Sequence, residues 1–429
     1  MRRYELREGQ SCFFWEIEFF AHHFDIREGA GGTVTRSKQW DFRTPGRARS
    51  EYRKHVDWRE RAGFALVHSD AADDDIVSLA VAELRGDVNL ELEAAIREQP
   101  DTPDAWLVYG DWLESQGSER GELVQVQAVL ATRPDDVALR EREEALLADH
   151  ERAWLGDLAD SHSSMFRCTW KYGFLERVEL SSDLFDLQSA FQTLGSVAAA
   201  RLLRVLQVQI LGGGEALEIT SLLTPHPILR ELTLDSSLDL AFQDAEGTSR
   251  PLEVLTLRGQ RVRIASASLP ALRSLALTFG ALEVDDEKLI APALEVLSVT
   301  FYGAEEDTAI AGPLAPFVRS LLERAPRVHS LTMRVPSWGD ELVTMLADHA
   351  ALVPGLQIVD LSGSDLTDAG AATLLAHARA FQHVHFDLRY NRLGAHRASE
   401  LSQRFDHVQL EGQNEVPPWR RTQYDDIDE

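Results

Sequence analysis

The sequence predicts an α/β protein. A long stack of strand-and-return repeats follows a small helical adapter and a smaller α+β segment. Three observations carry this. The pattern L-x-x-L-x-L recurs from Leu175 to Leu410 of the 429 residues. Helical spacing, punctuated by proline and glycine, fills residues 88–160, and alternating apolar residues open the chain. With 44% hydrophobic residues the chain can bury a large core, and its length suits two or three domains.

In residues 1–68, CFFWEIEFF alternates Phe13, Trp15, Ile17 and Phe19 with Glu16 and Glu18, the pattern of a strand with one buried face. Next, FDIREGAGGT places Gly29, Gly31 and Gly32 together. A phosphate-cradling loop would lead into a helix and be followed by a lysine. Here the glycines lead into TVTRSKQWDF, a Thr- and aromatic-rich strand, so a hairpin turn is expected. A helix follows in TPGRARSEYRKHVDWRERAGF, where Ala48, Tyr52 and Val56 share a face and Gly63 is the stop.

The order FWEIE, turn, Thr-rich strand and TPGRARSEYRKH resembles a WGR domain over residues 2–67. In that family the Trp-Gly-Arg signature contacts DNA ends in poly(ADP-ribose) polymerases. Here it falls on Glu28, Gly29 and Ala30, so only the glycine is retained, with a positive φ expected there. Loss of the arginine removes a bidentate phosphate partner, and Glu28 adds a repulsive charge. A weak basic-aromatic patch of Arg27, Arg36, Lys38 and Trp40 remains. The expectation is a degenerate WGR-like scaffold with weak or no nucleic-acid binding. The alternative is an adapter that carries the repeats to DNA or RNA.

Residues 69–87, including SDAADDD, read as an acidic linker. Over 88–160 the chain reads as helix, turn, helix, turn, helix. Leu92, Ala95 and Ile96 give one apolar face, Asp101 or Thr102 caps the next helix, and Trp106, Tyr109 and Leu113 precede a stop at Gly117. Asp111 and Glu114 lie three apart on an exposed helix face with no second constellation to serve. LVYGDWLESQGSERGELVQVQ resembles a small domain that accompanies leucine-rich repeats in bacterial proteins, and WKYGFLERVEL looks like the strand that joins it to them. The resemblance implies a helical cap or adapter and no chemistry.

Over residues 161–416 the last positions of successive pattern copies, Leu180, Val208, Leu234, Leu257, Leu277, Val299, Met333, Leu361, Leu388 and Leu410, are 20 to 34 residues apart. This spacing is that of leucine-rich repeats, in which each copy supplies a strand and a return and only the stack buries a core. LSGSDLTDAGAATLLAHA and LRYNRLGAHRASELSQ resemble the helical returns of the ribonuclease-inhibitor type. The middle copies, 20 to 23 residues long, are expected to return through loops, and Tyr390-Asn391 occupies a structural turn. Residues 417–429 read as an acidic tail.

The net charge of −27 is uneven: residues 1–68 hold 13 basic against 10 acidic residues, and the remainder 30 against 60. Such a body repels phosphate backbones and attracts basic proteins. No apolar run reaches about 18 residues, no signal peptide opens the chain, and Cys12 and Cys168 have no zinc-ligand spacing, so a cytoplasmic protein without membrane contact is expected. His377, His383 and His385 do not complete a metal site, and no nucleophile stands in a recognisable context. Neither an enzyme nor a cofactor is expected.

The expected function is a regulatory protein-binding module, in signalling or defence, that holds or inhibits a bacterial partner such as a basic enzyme or transcription factor. Strand alternation puts the residues between the leucines on the concave face. That gives a strip of small residues, Val254, Thr256, Ala276, Thr278, Val296, Ser298 and Thr300. Charged and polar flanks are Glu231, Asp235, Arg258 and Arg334, then Asp360, His385, Asp387, Arg389, His407 and Glu411.

Overall fold

A computed structural model describes residues 2–8, 11–20, 23–31, 33–41, 51–52, 55–56, 58–59, 62, 64–69, 88–160, 166–182, 194–195, 197–210, 217–219, 226–242, 251–264, 267–284, 289–302, 311–350, 354–415 and 417. Nearly all of the expected acidic linker and tail, with Gly32, Ala48 and Gly63, lie outside the described residues. The chain divides into two compact units: residues 1–166, 170–175 and 185–201, and residues 167–169, 176–184 and 202–429.

The first unit opens with β1 (Arg2–Glu8), β2 (Ser11–Phe20), β3 (His23–Ala30), β4 (Thr33–Asp41) and β5 (Ala65–Ser69). They form an antiparallel sheet in the order β4-β3-β2-β1-β5. Tyr4, Trp15, Ile17, Phe24 and Ile26 pack with the helical residues Tyr52 and Val56 as its core. Alternation on β2 holds for Trp15 and Ile17 but not for Phe13, which is exposed. Phe14, on the opposite face, is buried beneath the Arg3 guanidinium, 4.4 Å from its ring centroid. The glycine stretch is a hairpin turn, with Ala30 paired to Thr33 and Gly31 at φ 57°.

Positive φ therefore belongs to Gly31 and not to Gly29. Gly29 lies within β3, where an added Cβ would meet Thr33 O at 2.0 Å and the Phe14 ring at 2.9 Å. Close approach of the next strand requires the glycine there.

Four helices follow: α1 (Leu90–Glu98), α2 (Pro103–Ser115), α3 (Arg120–Leu130) and α4 (Val137–Leu155). Asn89 caps α1, its side chain accepting from Glu91 N and Leu92 N. On α1 Ile96 is buried but Ala95 is exposed; the inward position is taken by Glu93, which is 1% exposed. Arg201 donates to both Glu93 oxygens, at 2.7 and 2.8 Å, and these bonds hold its guanidinium above the usual range. Thr102 sits at the start of α2 without a side-chain capping bond. Trp106, Tyr109 and Leu113 are buried, and Gly117 ends α2 at φ 79°. The Asn89 N–H donates to the Tyr109 hydroxyl, and burial pushes that phenol up to about 12.

β6 (Phe166–Lys171) and β7 (Phe174–Ser182) divide their residues between the units. The stretch WKYGFLERVEL is thus not one strand. Tyr172 and Gly173, at φ 50° and 71°, turn the chain within it, the signature of a two-residue type I′ hairpin.

The second unit is a mixed α/β array on a large, mostly parallel sheet. Its main ladder joins β7, β8 (Val205–Ile210), β10 (Glu231–Ser236), β12 (Val254–Ile264), β14 (Ser274–Val284), β16 (Val296–Phe301), β17 (Ser330–Arg334), β18 (Ile358–Asp360), β19 (His385–Asp387) and β20 (Val408–Gln409). Pairing places like position against like: Leu206, Leu232, Leu255, Leu275, Leu297 and Leu331 form one continuous row. From Leu175 through Leu361 every position of the leucine pattern is at most 5% exposed. Burial relaxes in the last two copies, where His383 takes the first position exposed and Val408 and Leu410 are half-buried.

Helical returns occupy the C-terminal copies: α5 (Ala311–Arg324), α6 (Gly339–Asp348), α7 (Asp368–Ala376) and α8 (Ala395–Arg404). The middle copies do not return simply through loops. β12 and β14 run eleven residues, and on β12 burial changes phase after Gly259, so that Val262 and Ile264 point inward beyond a corner. The second halves extend a ladder with β9 (Leu217–Glu218) and β11 (Asp239–Phe242), and β13 (Ala267–Ser268) pairs with β15 (Leu289–Ile290). A strand advances about 3.3 Å per residue against 1.5 Å for a helix, so 20 to 23 residues close a copy with strands and not with helices.

Candidate partner-binding face

The main ladder turns its leucines inward, and the residues between them form columns on the opposite side of the sheet. One column runs Thr233, Thr256, Ala276, Ser298, Thr332, Asp360 and Asp387. Beside it runs Glu231, Val254, Ser274, Val296, Ser330, Ile358 and His385, and a third holds Asp235, Arg258, Thr278, Thr300 and Arg334. With strands about 4.8 Å apart, the uncharged stretch from Thr233 to Thr332 is a continuous shallow strip. All of its residues are half-buried. The sequence reading named Val254, Thr256, Ala276, Thr278, Val296, Ser298 and Thr300. It missed Thr233, Ser274, Ser330, Thr332 and Ile358, which the same offset from the leucines would have found.

Charges flank the strip, but the structure uses most of them internally. Arg334 donates to Asp360 Oδ2 through Nε (3.1 Å) and Nη2 (2.6 Å), and Asp360 Oδ1 accepts from the Ser362 N–H and hydroxyl. Asp387 repeats this: its Oδ1 accepts from the Arg389 N–H, and the Arg389 guanidinium closes on the carboxylate at 2.6 Å. Asp235 and Arg258 lie 3.7 Å apart. Asp360 is only 9% exposed. It is a structural staple and not the partner-facing flank that its place in the sequence suggests. The exposed His385 and His407 stack on one another, ring centroids 4.0 Å apart and planes 13° apart. Glu411 is exposed, and Glu231 is half-buried.

The turn that follows the last pattern position is built from the backbone. Gly363, Tyr390 and Gly412 each stand two residues after it with φ of 58° to 67°. Asn391 is 1% exposed and makes four bonds: Oδ1 accepts from Ser364 N and Leu366 N, and Nδ2 donates to Leu361 O and Leu388 O. Its role is structural, as its position implied. Asp340 likewise ties α6 to α7, accepting from Thr367 N, Thr367 Oγ1 and Gly370 N.

The N-terminal basic-aromatic patch does not assemble as the sequence suggested. Arg36, Lys38 and Trp40 pair with Glu28, Ile26 and Phe24 and share their face, while Arg27 pairs with Ser37 on the other face, within 3.9 Å of Glu18. Glu28 receives Arg59 at 2.6 Å and Arg36 at 3.4 Å, so it is the shared counter-ion of two cations and not a bare repulsive charge. Lys38 stands over Trp40, 3.5 Å from the ring centroid. A phosphate would have to compete with Glu28 for both guanidiniums. The full chain should therefore bind a blunt DNA duplex no tighter than about micromolar at physiological salt, and Glu28→Gln should tighten it severalfold in a fluorescence anisotropy titration. Nanomolar binding by the unmodified chain would refute this.

Among the described residues no three His, Cys, Asp or Glu side chains cluster as metal ligands, and no helix is long and apolar enough to cross a membrane. No protein-family model matches the chain, and no curated protein matches it. Solved structures that resemble it include a Bacteroides fragilis protein from a structural genomics consortium, 16% identical over 97% of both chains with a TM-score of 0.39. A TM-score of that size defines no shared fold.

Proposed function

We propose that the protein is a non-catalytic, regulatory protein-binding module. The second unit is a leucine-rich-repeat stack, ribonuclease-inhibitor-like in its C-terminal copies. A helical companion segment and a WGR-like segment precede it, and its open sheet face holds or inhibits a partner protein. The observation that carries this reading is the strip from Thr233 to Thr332, small, uncharged and half-buried across five neighbouring strands. Strand propensity alone accounts for Val and Thr but not for Ala276, Ser274, Ser298 and Ser330, because Ala is depleted in strands and Ser is not among the favoured residues. Small residues beside paired charges suit an interface core with a polar rim.

Because most flanking acids already hold an internal partner, shape recognition at the strip outweighs attraction of a basic protein. The double variant Ala276→Arg, Ser298→Arg should keep its melting temperature within about 2 °C, as half-exposed sites tolerate long side chains. Its recovery of partner protein from an extract of the source cells should fall at least tenfold. Undiminished recovery would contradict the assignment.

A further inference from the structure

At the other end of the chain, β4 is an open edge among the described residues. It is the terminal strand of its sheet, and Thr33 to Gln39 are exposed on both faces, leaving only Trp40 half-buried. The register with β3 skips Thr35, so Arg36 to Asp41 is the uninterrupted part of the edge. An edge strand offers alternating N–H and C=O groups to any extended chain laid beside it. Its side chains set the sign of that chain. On the face of Trp40, Arg36 and Arg59 share one carboxylate, Glu28, and Lys38 stands over the Trp40 ring, so three cations there face a single acid.

We propose that β4 adds a sixth strand from a partner protein, an acidic extended segment with acids opposite Arg36 and Lys38 and an aromatic residue opposite Trp40. Opposite charges and aromatic pairs directly across a strand pair are favourable, whereas like charges are not. A second copy of this strand fails on that account: antiparallel pairing about Ser37 would set Arg36 against Lys38. Nucleic acid fits poorly, because its backbone has no alternating donors and acceptors to meet the edge and Glu28 stands among the cations. The site is independent of the sheet face proposed above, so either can fail alone.

The probe is a fluorescein-labelled peptide, Thr-Phe-Thr-Asp-Thr-Glu-Thr-Phe-Thr, whose pattern reads alike in both directions, titrated with the full chain at low salt. Saturable binding is expected, weakened at least tenfold by Arg36→Glu with Lys38→Glu and restored when the probe's acids become lysines. Strand addition is tested on the probe itself, which avoids any question of whether a variant folds. N-methylation of one alternate set of its backbone nitrogens should abolish binding, and methylation of the other set should spare it. Equal binding of both methylated probes would overturn strand addition. Displacement of the probe by equimolar duplex DNA would overturn the choice of partner. So would a tenfold gain in probe affinity on deleting residues 418–429, because the occupant would then be this chain's own acidic end.

Discussion

Replacing Asn391 with alanine should destabilise the repeat unit by about 4 kcal/mol. The amide is fully enclosed and serves four backbone groups drawn from two successive copies: Ser364 N, Leu366 N, Leu361 O and Leu388 O. Each buried group left without a partner costs about 1–3 kcal/mol, and the truncated side chain also leaves a small void. For a unit of this size 1 kcal/mol moves the melting temperature by about 2–4 °C, so a fall of about 10 °C is expected by calorimetry. A loss below about 1 kcal/mol would mean that water replaces the amide and that this turn does not hold the copies together.

The second large effect is at Asp360. Its carboxylate takes two bonds from Ser362 and two from Arg334 while almost enclosed. Asp360→Lys removes all four and sets an ammonium beside the Arg334 guanidinium, at a cost of about 3–5 kcal/mol. Read from sequence, Asp360 belonged to the partner rim, where reversal would leave stability untouched. The structure reverses that expectation. Arg334→Met with Asp360→Asn, which removes both charges together, should recover more than half of the loss in urea titrations. If Asp360→Lys melted like the wild-type chain, the staple would be energetically idle and the rim assignment would stand again.

The contrast between Asp360 and Ser298 shows what the sequence could carry. Ser298 was placed on the open face by its offset from Leu297 and Val299, since alternation along a strand is a local property. Asp360 obeys the same offset, but its burial depends on Arg334, one copy away, and on how Ser362 turns back toward it. The basic patch failed for a similar reason. Arg27 and Arg36 differ in face because β3 and β4 slip by one residue at Thr35, and a slip flips every side chain beyond it. Gly29 was expected to need a positive φ, whereas its constraint is the neighbouring Thr33 carbonyl. The strand returns of the middle copies were hidden in stretches such as LRGQRVRI, where the phase change after Gly259 breaks the alternation that marks a strand.

The claim that the main sheet face receives the partner is tested most directly by photo-crosslinking in extracts of the source cells. The photoreactive residue p-benzoylphenylalanine would be placed at Ser298, in the centre of the strip, or at Arg263, exposed on the second half of β12 beyond the corner. The account predicts one discrete protein adduct from position 298, lost in the presence of excess unlabelled chain, and none from position 263. A competed adduct at position 263 with nothing at position 298 would contradict it.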